Sequence, residues 1–372
     1  MSMTTVLHIS ASDVQWSNFL TEVSKHLEGD RLGLWTLDRA HSHASAFVVR
    51  DSNGELKSAL LEAGRQKTNY RKIIDFFAAD ESELAALLNA AIDNSKESHC
   101  ISIKCEEHPL LHAFSSSETS ALTQEGFRRE SDPVQSVPST RGAVRGWAKW
   151  FTREPQRSIT YYGQTTDVTC GAGTTLMAIE SHGGETFLKD DSEFNREIEL
   201  EVWRSATNMP ACEPVGLAVT THQRIATVGA NLGKPTVYLS TSGTSLLESY
   251  KDFDYNFREQ LQMESFKKAD LLGIPVIREW ISTQDIVAAI ANGNLVYLLI
   301  DLTVMLNDPT PHWVLAHDVI ENCVVISDPW VDSKTGETWV DCSNLPVNFT
   351  TLDDMTRWGE PAYRGVVIVP KL

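Results

Sequence analysis

Apolar and polar positions follow two regimes along the chain. From Thr4 to about Pro138 short apolar runs alternate with helical spacing. VLHIS reads as a strand, WSNFLTEVSKHL as an amphipathic helix, and ASAFVVRD with ELKSALLEAG as the arms of a hairpin turning at Asn53-Gly54. A helix is expected from about Asp80 to Asn94, where apolar residues recur at three and four. CISIKC, from Cys100 to Cys105, is the next strand, and ETSALTQEGFRRE is a short helix that ends at Gly126 before a last strand. These elements sum to a compact α/β domain over 1–138. Pro133, Pro138 and Pro155 break regular structure, so 139–157 is expected to be a linker, with Trp147, Trp150 and Phe151 packing across a domain interface.

The second regime, 158–372, begins with helical patterns. Thr175, Leu176, Met177 and Ile179 fit a buried helix stopped at His182-Gly183-Gly184. Further helices are expected over NREIELEVWRSAT, over GLAVTTHQRIATVGANLG and over NFREQLQMESFKKADLLG, with the strand TVYLSTSG between the last two. After Gly273 strands take over: IPVIREW, LVYLLIDL, HWVLAHDVI, CVVISDPW and RGVVIVPKL, interrupted by a helix QDIVAAIAN capped by Ser282 or Thr283. The fold class expected is α+β, a helical front half followed by an antiparallel sheet.

Length and composition add bounds. At 372 residues two cores are expected, and 42% hydrophobic with 22% charged residues is globular. LVYLLIDLTVML is too short for a membrane span and contains Asp301, and the N-terminus lacks a secretory pattern, so a cytoplasmic location without membrane association is expected. The formal charge of −18 argues against a nucleic-acid partner. Arg65 to Lys72, a basic-looking stretch, reads as a solvated loop or helix face. The six cysteines show no CxxC pair or zinc-ligand spacing, so no metal is expected and most should be buried and inert.

Cys170 carries a different context. In GQTTDVTCGAGTTLMA it opens the buried helix, where unpaired N–H groups and the positive end of the macrodipole favour thiolate over thiol. Gln164, six residues upstream, offers a side-chain amide to hold an oxyanion. A cysteine nucleophile needs a base, and the base needs an acceptor on its other nitrogen. His312 starts a strand after the turn-forming Asn307-Asp308-Pro309-Thr310-Pro311, and the next strand ends in Asp328-Pro329, so pairing of the two brings Asp328 to the imidazole. His317 has an odd offset from His312 and is expected on the opposite strand face. His182 and His222 lie in helical stretches and read as structural.

Gln164 to Ala178, followed by His312-Trp-Val and Asp328-Pro-Trp, resembles the C39-like peptidases of the papain-like superfamily over roughly 158–372. The resemblance implies a papain-like cysteine protease fold, with Cys170 as nucleophile, His312 as base, Asp328 as orienter and Gln164 as oxyanion donor. Thr169 stands where the transporter-fused members usually have Asp, and Ala172-Gly173 where a Pro-Ala pair is common. The first domain, through the helix and ALTQEGFRRE around Gly126 and Phe127, resembles the second half of GNAT acetyltransferases. Its region FFAADESEL is acidic and without glycine, so coenzyme A binding is expected to be lost; the alternative is an unrelated α/β domain used for docking a protein partner. The activity implied is acyl transfer on a peptide or small amide through a thioester that water releases, a peptidase or amidohydrolase without a cofactor. Amide formation with the same triad, or peptide binding without cleavage, are the alternatives.

Overall fold

The computed structural model describes residues 5–39, 42–136 and 144–372. Pro138 and the first part of the expected linker, 139–143, lie outside these. Two units are formed: one from 1–132, 140–154 and 332–341, the other from 133–139, 155–331 and 342–372. Both mix helices with a sheet, giving an α+β chain.

The first unit is built on seven strands: β1 (Val6–Ser10), β2 (Ser45–Arg50), β3 (Leu56–Ala63), β4 (Tyr70–Phe77), β5 (Ser102–Glu107), β6 (Arg128–Arg129) and β7 (Arg145–Trp150). Their order is β1-β2-β3-β4-β5-β7-β6, antiparallel except for β4 beside β5. A parallel pair needs a crossover. The helix Glu81–Glu97 supplies it, started by Asp80, whose carboxylate accepts the Glu83 N–H at 2.9 Å. Leu84, Leu87, Leu88 and Ile92 of this helix pack on Leu60, Ile73, Phe76 and Ile103 of the sheet. Phe19, Val23 and Trp35, from two short helices, pack with Val48, Leu61 and Ile74 in a second core cluster.

Three expectations fail here for one reason, long-range partners. The stretch 139–157 is not only a linker, because it contributes β7, which pairs with β5. Trp147 sits in the core of the first unit with its indole N–H toward Glu107 at 3.4 Å, and Phe151 packs against the same core, so these rings fill one unit's interior. Arg65 and Lys72 are buried, not solvated, each in an ion pair with a residue of the segment 332–341.

The second unit carries β8 (Thr236–Leu239), β9 (Val276–Ile277), β10 (Leu295–Asp301), β11 (Pro311–Ile320), β12 (Cys323–Ser327), β13 (Leu345–Asn348) and β14 (Gly365–Val369). The order is β13-β12-β11-β10-β14-β8-β9, antiparallel except for the two-residue contact of β8 with β9. Helices Cys170–Glu180, Ser192–Ala206, Pro214–Val228 and Asp252–Leu272 precede most of it in sequence. The first of them lies on β11, where the Thr174 hydroxyl donates to the Trp313 carbonyl at 3.1 Å. Among the described residues no helix is long and apolar enough to cross a membrane.

Candidate active site

The residues after Cys170 explain how tightly its helix is seated. A side chain at Gly171 would place Cβ 2.8 Å from Cys212 Cβ, and one at Gly173 would place it 3.0 Å from Pro329 Cβ. The Cys-Gly-Ala-Gly start therefore lets Cys212 press on one side of the first turn and the Asp328-Pro329 loop on the other. Orphan N–H groups of a helix start need partners. Cys170 is the first residue of this helix, at the end where those groups lie.

His312 sits near the start of β11 and is buried. Its Nε2 lies 2.6 Å from Asp328 Oδ1, and the Cys170 sulfur acts on the same imidazole. The pairing of Leu315 with Ser327 sets this geometry. Continuing that register places Asp328 across from Val314, on the strand face that His312 shares and diagonal to it. Burial alone would push the imidazole down. The Asp328 charge and hydrogen bond, together with the Cys170 sulfur, outweigh that and raise it to about 10.

Asp328 is fully buried and held from several directions. Its Oδ1 also accepts the Trp330 N–H at 2.8 Å, its own N–H donates to the Cys342 carbonyl at 2.9 Å, and its carbonyl accepts the Tyr161 hydroxyl at 2.8 Å. Three of the four sequence candidates, Cys170, His312 and Asp328, are thus brought together. Gln164 is tied to the same loop through its backbone N–H, which donates to the Pro329 carbonyl at 2.8 Å. Its side-chain Nε2 donates to the Thr166 carbonyl at 2.8 Å, while Oε1 is buried with no hydrogen-bond partner among the described residues.

His317 falls at a bulge between Ala316 and Asp318, fully buried, with Nε2 3.3 Å from the Ser327 hydroxyl. Burial drives it down to about 3, so it is neutral and no base competes from there. Sequence reasoning missed Glu199. It is fully buried on the helix Ser192–Ala206 and accepts from the Thr165 N–H at 2.9 Å, the Thr165 hydroxyl at 2.6 Å and the Tyr162 hydroxyl at 2.9 Å. The signal was present, since Glu199 shares the helix face of Asn195, Val202 and Ala206. Glu199→Ala should lower stability by about 2–4 kcal/mol, because one buried and two part-buried donors lose their acceptor. Urea unfolding of the variant against the parent measures it.

Cys170 opens onto a cleft of ≈ 320 Å³. Leu246, Tyr250, Pro311 and Trp358 supply apolar walls, and Asp167 and Glu248 add carboxylates. Among the described residues no group of three or more His, Cys, Asp or Glu is arranged to hold a metal ion.

An α+β unit with a buried Cys, His and Asp in contact across a helix start and a sheet has the layout of a thiol peptidase-like protein. Residues 159–370 match the Peptidase_C39 like family, and the chain belongs to it. No curated protein matches the chain. Solved structures similar to its N-terminal part include a putative acyl-CoA N-acyltransferase from Klebsiella pneumoniae, 13% identical, covering 40% of this chain and 97% of that one with a TM-score of 0.30. A GNAT-family acetyltransferase from Staphylococcus aureus is 14% identical, covers 40% of this chain and 100% of that one, and has a TM-score of 0.29.

Proposed function

We propose that the second unit performs cysteine-dependent acyl transfer on a peptide or small amide, ending in hydrolysis. The observation that carries this is the buried His312–Asp328 pair, 2.6 Å apart, with the Cys170 sulfur acting on the same imidazole. The raised imidazole of His312 already holds the proton given up by Cys170, and the sulfur attacks the amide carbonyl to form a C–S bond. The oxyanion is received by the Cys170 backbone N–H and by Gln164, whose Nε2 retains a second hydrogen beyond the one given to Thr166. The imidazolium protonates the departing amine as the C–N bond breaks. Water then loses a proton to His312, attacks the thioester, and the C–S bond breaks to release the acid and restore the thiol.

The cleft offers apolar contacts to a substrate, and its two carboxylates favour neutral or basic groups beside the scissile amide. The test is treatment of the full chain with iodoacetamide, followed by peptide mapping and by intact-mass analysis of a mixed peptide library. Selective alkylation at Cys170 and new free-acid products are expected. Condensed amide products would instead indicate an amide-forming enzyme, and absence of selective alkylation at Cys170 would sink the catalytic reading.

A further inference from the structure

The loop that leaves β12 at Asp328 and returns to β13 is divided between the two units. Its base holds the site: Asp328 donates its N–H to the Cys342 carbonyl, and the Cys342 thiol lies 3.1 Å from the Trp330 carbonyl oxygen. Its tip, 332–341, is counted in the first unit. There the tip is engaged by side chains that are otherwise out of place in a sheet interior.

Lys72 of β4 is buried between Asp341 and Glu106, 3.0 Å from the latter, and the Tyr70 hydroxyl donates to Asp341 at 2.8 Å. Arg65 grips Glu337 with two parallel bonds of 2.7 and 2.8 Å. Lys104 of β5 donates to the Val340 carbonyl at 2.7 Å, and the Thr338 hydroxyl donates to Glu106 at 2.5 Å. Trp339 is seated where a side chain on Gly146 would come within 2.7 Å of its ring, and its indole N–H donates to the Val144 carbonyl at 2.8 Å. Buried charges are costly unless paired and hydrogen-bonded, so these groups need the tip as much as the tip needs them.

We infer that the first unit is a clamp for this chain's own segment 332–341, and that Arg65, Tyr70, Lys72 and Lys104 are positioning residues for Asp328. The inference deepens the proposed acyl-transfer site and rests on it. The clamp works through the covalent loop: ordering the tip restricts the base, and the base sets the distance between Asp328 and His312. Geometry of this kind is steeply felt in rate, since misplacement by about 1 Å costs up to about a hundredfold. Lys72 and Tyr70 of β4 and Lys104 of β5 thus find their partners in this segment.

The experiment uses the full chain with isotopically labelled histidine, reading both the His312 titration midpoint and the rate of Cys170 alkylation by iodoacetamide. Lys72→Met and the milder Thr338→Val are compared with Asp75→Asn. Asp75 bonds Arg31, Trp35 and His112 in the first unit and touches none of the tip, so its variant reports loss of stability alone. Lys72→Met should lower the alkylation rate about tenfold and move the His312 midpoint down by at least about one unit. Thr338→Val should act in the same direction and less, and Asp75→Asn should move neither. If Lys72→Met does not fold, Thr338→Val decides. Parental values of both readouts in folded clamp variants, or an equal change in Asp75→Asn, would overturn the clamp. Failure of the parent to alkylate at Cys170 would overturn the catalytic reading instead, with the His312 midpoint still reporting on the clamp.

Discussion

His312→Ala should reduce acylation of Cys170 by roughly a thousandfold or more, and Cys170→Ala should abolish it, with both proteins folded. The imidazole is the titratable group on which the sulfur acts, so its loss removes the acceptor for the thiol proton and the donor for the departing amine. His317 cannot take over, because it is sealed against Ser327 and held neutral by burial. The measurement is the rate of acyl-enzyme formation with an activated thioester, followed by intact mass. A rate in His312→Ala within about tenfold of the parent would remove His312 from the mechanism.

Asp328→Asn should change the pH behaviour of the site more than its shape. In the parent, burial pulls His312 down, and the Asp328 charge is the first of the effects that raise it to about 10. With an uncharged amide in that place, burial regains its weight and the midpoint should fall by several units. Histidine NMR across the alkaline range reads this directly. Stability follows with a defined sign. A histidine raised from 6.5 to about 10 on folding binds more protons in the folded chain between those values. Its contribution is therefore complete below about pH 6.5 and is lost as pH rises through about 10. The parent should lose a few kcal/mol over that window, and Asp328→Asn should show a flatter curve in urea titrations. A midpoint for His312 that stays near 10 in the variant would refute the assignment of Asp328.

How far the sequence reached can be judged residue by residue. His312 and Asp328 were legible because strand alternation and a turn after Ile320 are local signals, and local signals survive without knowledge of the fold. Their pairing was not legible in detail. The bulge between Ala316 and Asp318 shifts the register, so Asp328 meets His312 diagonally and not as the simple end of a hairpin. Gln164 was legible as a position but not as a hydrogen-bond partner, since its amide is occupied by Thr166. Arg65 and Lys72 read as solvated because their partners, Glu337 and Asp341, lie near the other end of the chain, and no window of sequence contains both ends of such a pair. The same holds for Trp147 and Phe151, whose aromatic run suits an interface but whose strand pairs with β5. Elements with strong periodicity were clear, and what long-range contacts decide was not.

The division of the Asp328 loop has a consequence for the order in which the chain can mature. The first unit takes its last ten residues from 332–341, so it is unfinished when its first 154 residues have left the ribosome. Until then Arg65, Lys72 and Lys104 have strand neighbours but lack Glu337, Asp341 and the Val340 carbonyl. The N-terminal unit is thus closed by nearly the end of the chain, a contact of high sequence separation that forms late and slowly. An N-terminal fragment cut at residue 154 would expose its buried cations to water or to foreign carboxylates, so the two halves are not exchangeable modules. Synthesis of the whole polypeptide becomes a condition for either half to be complete.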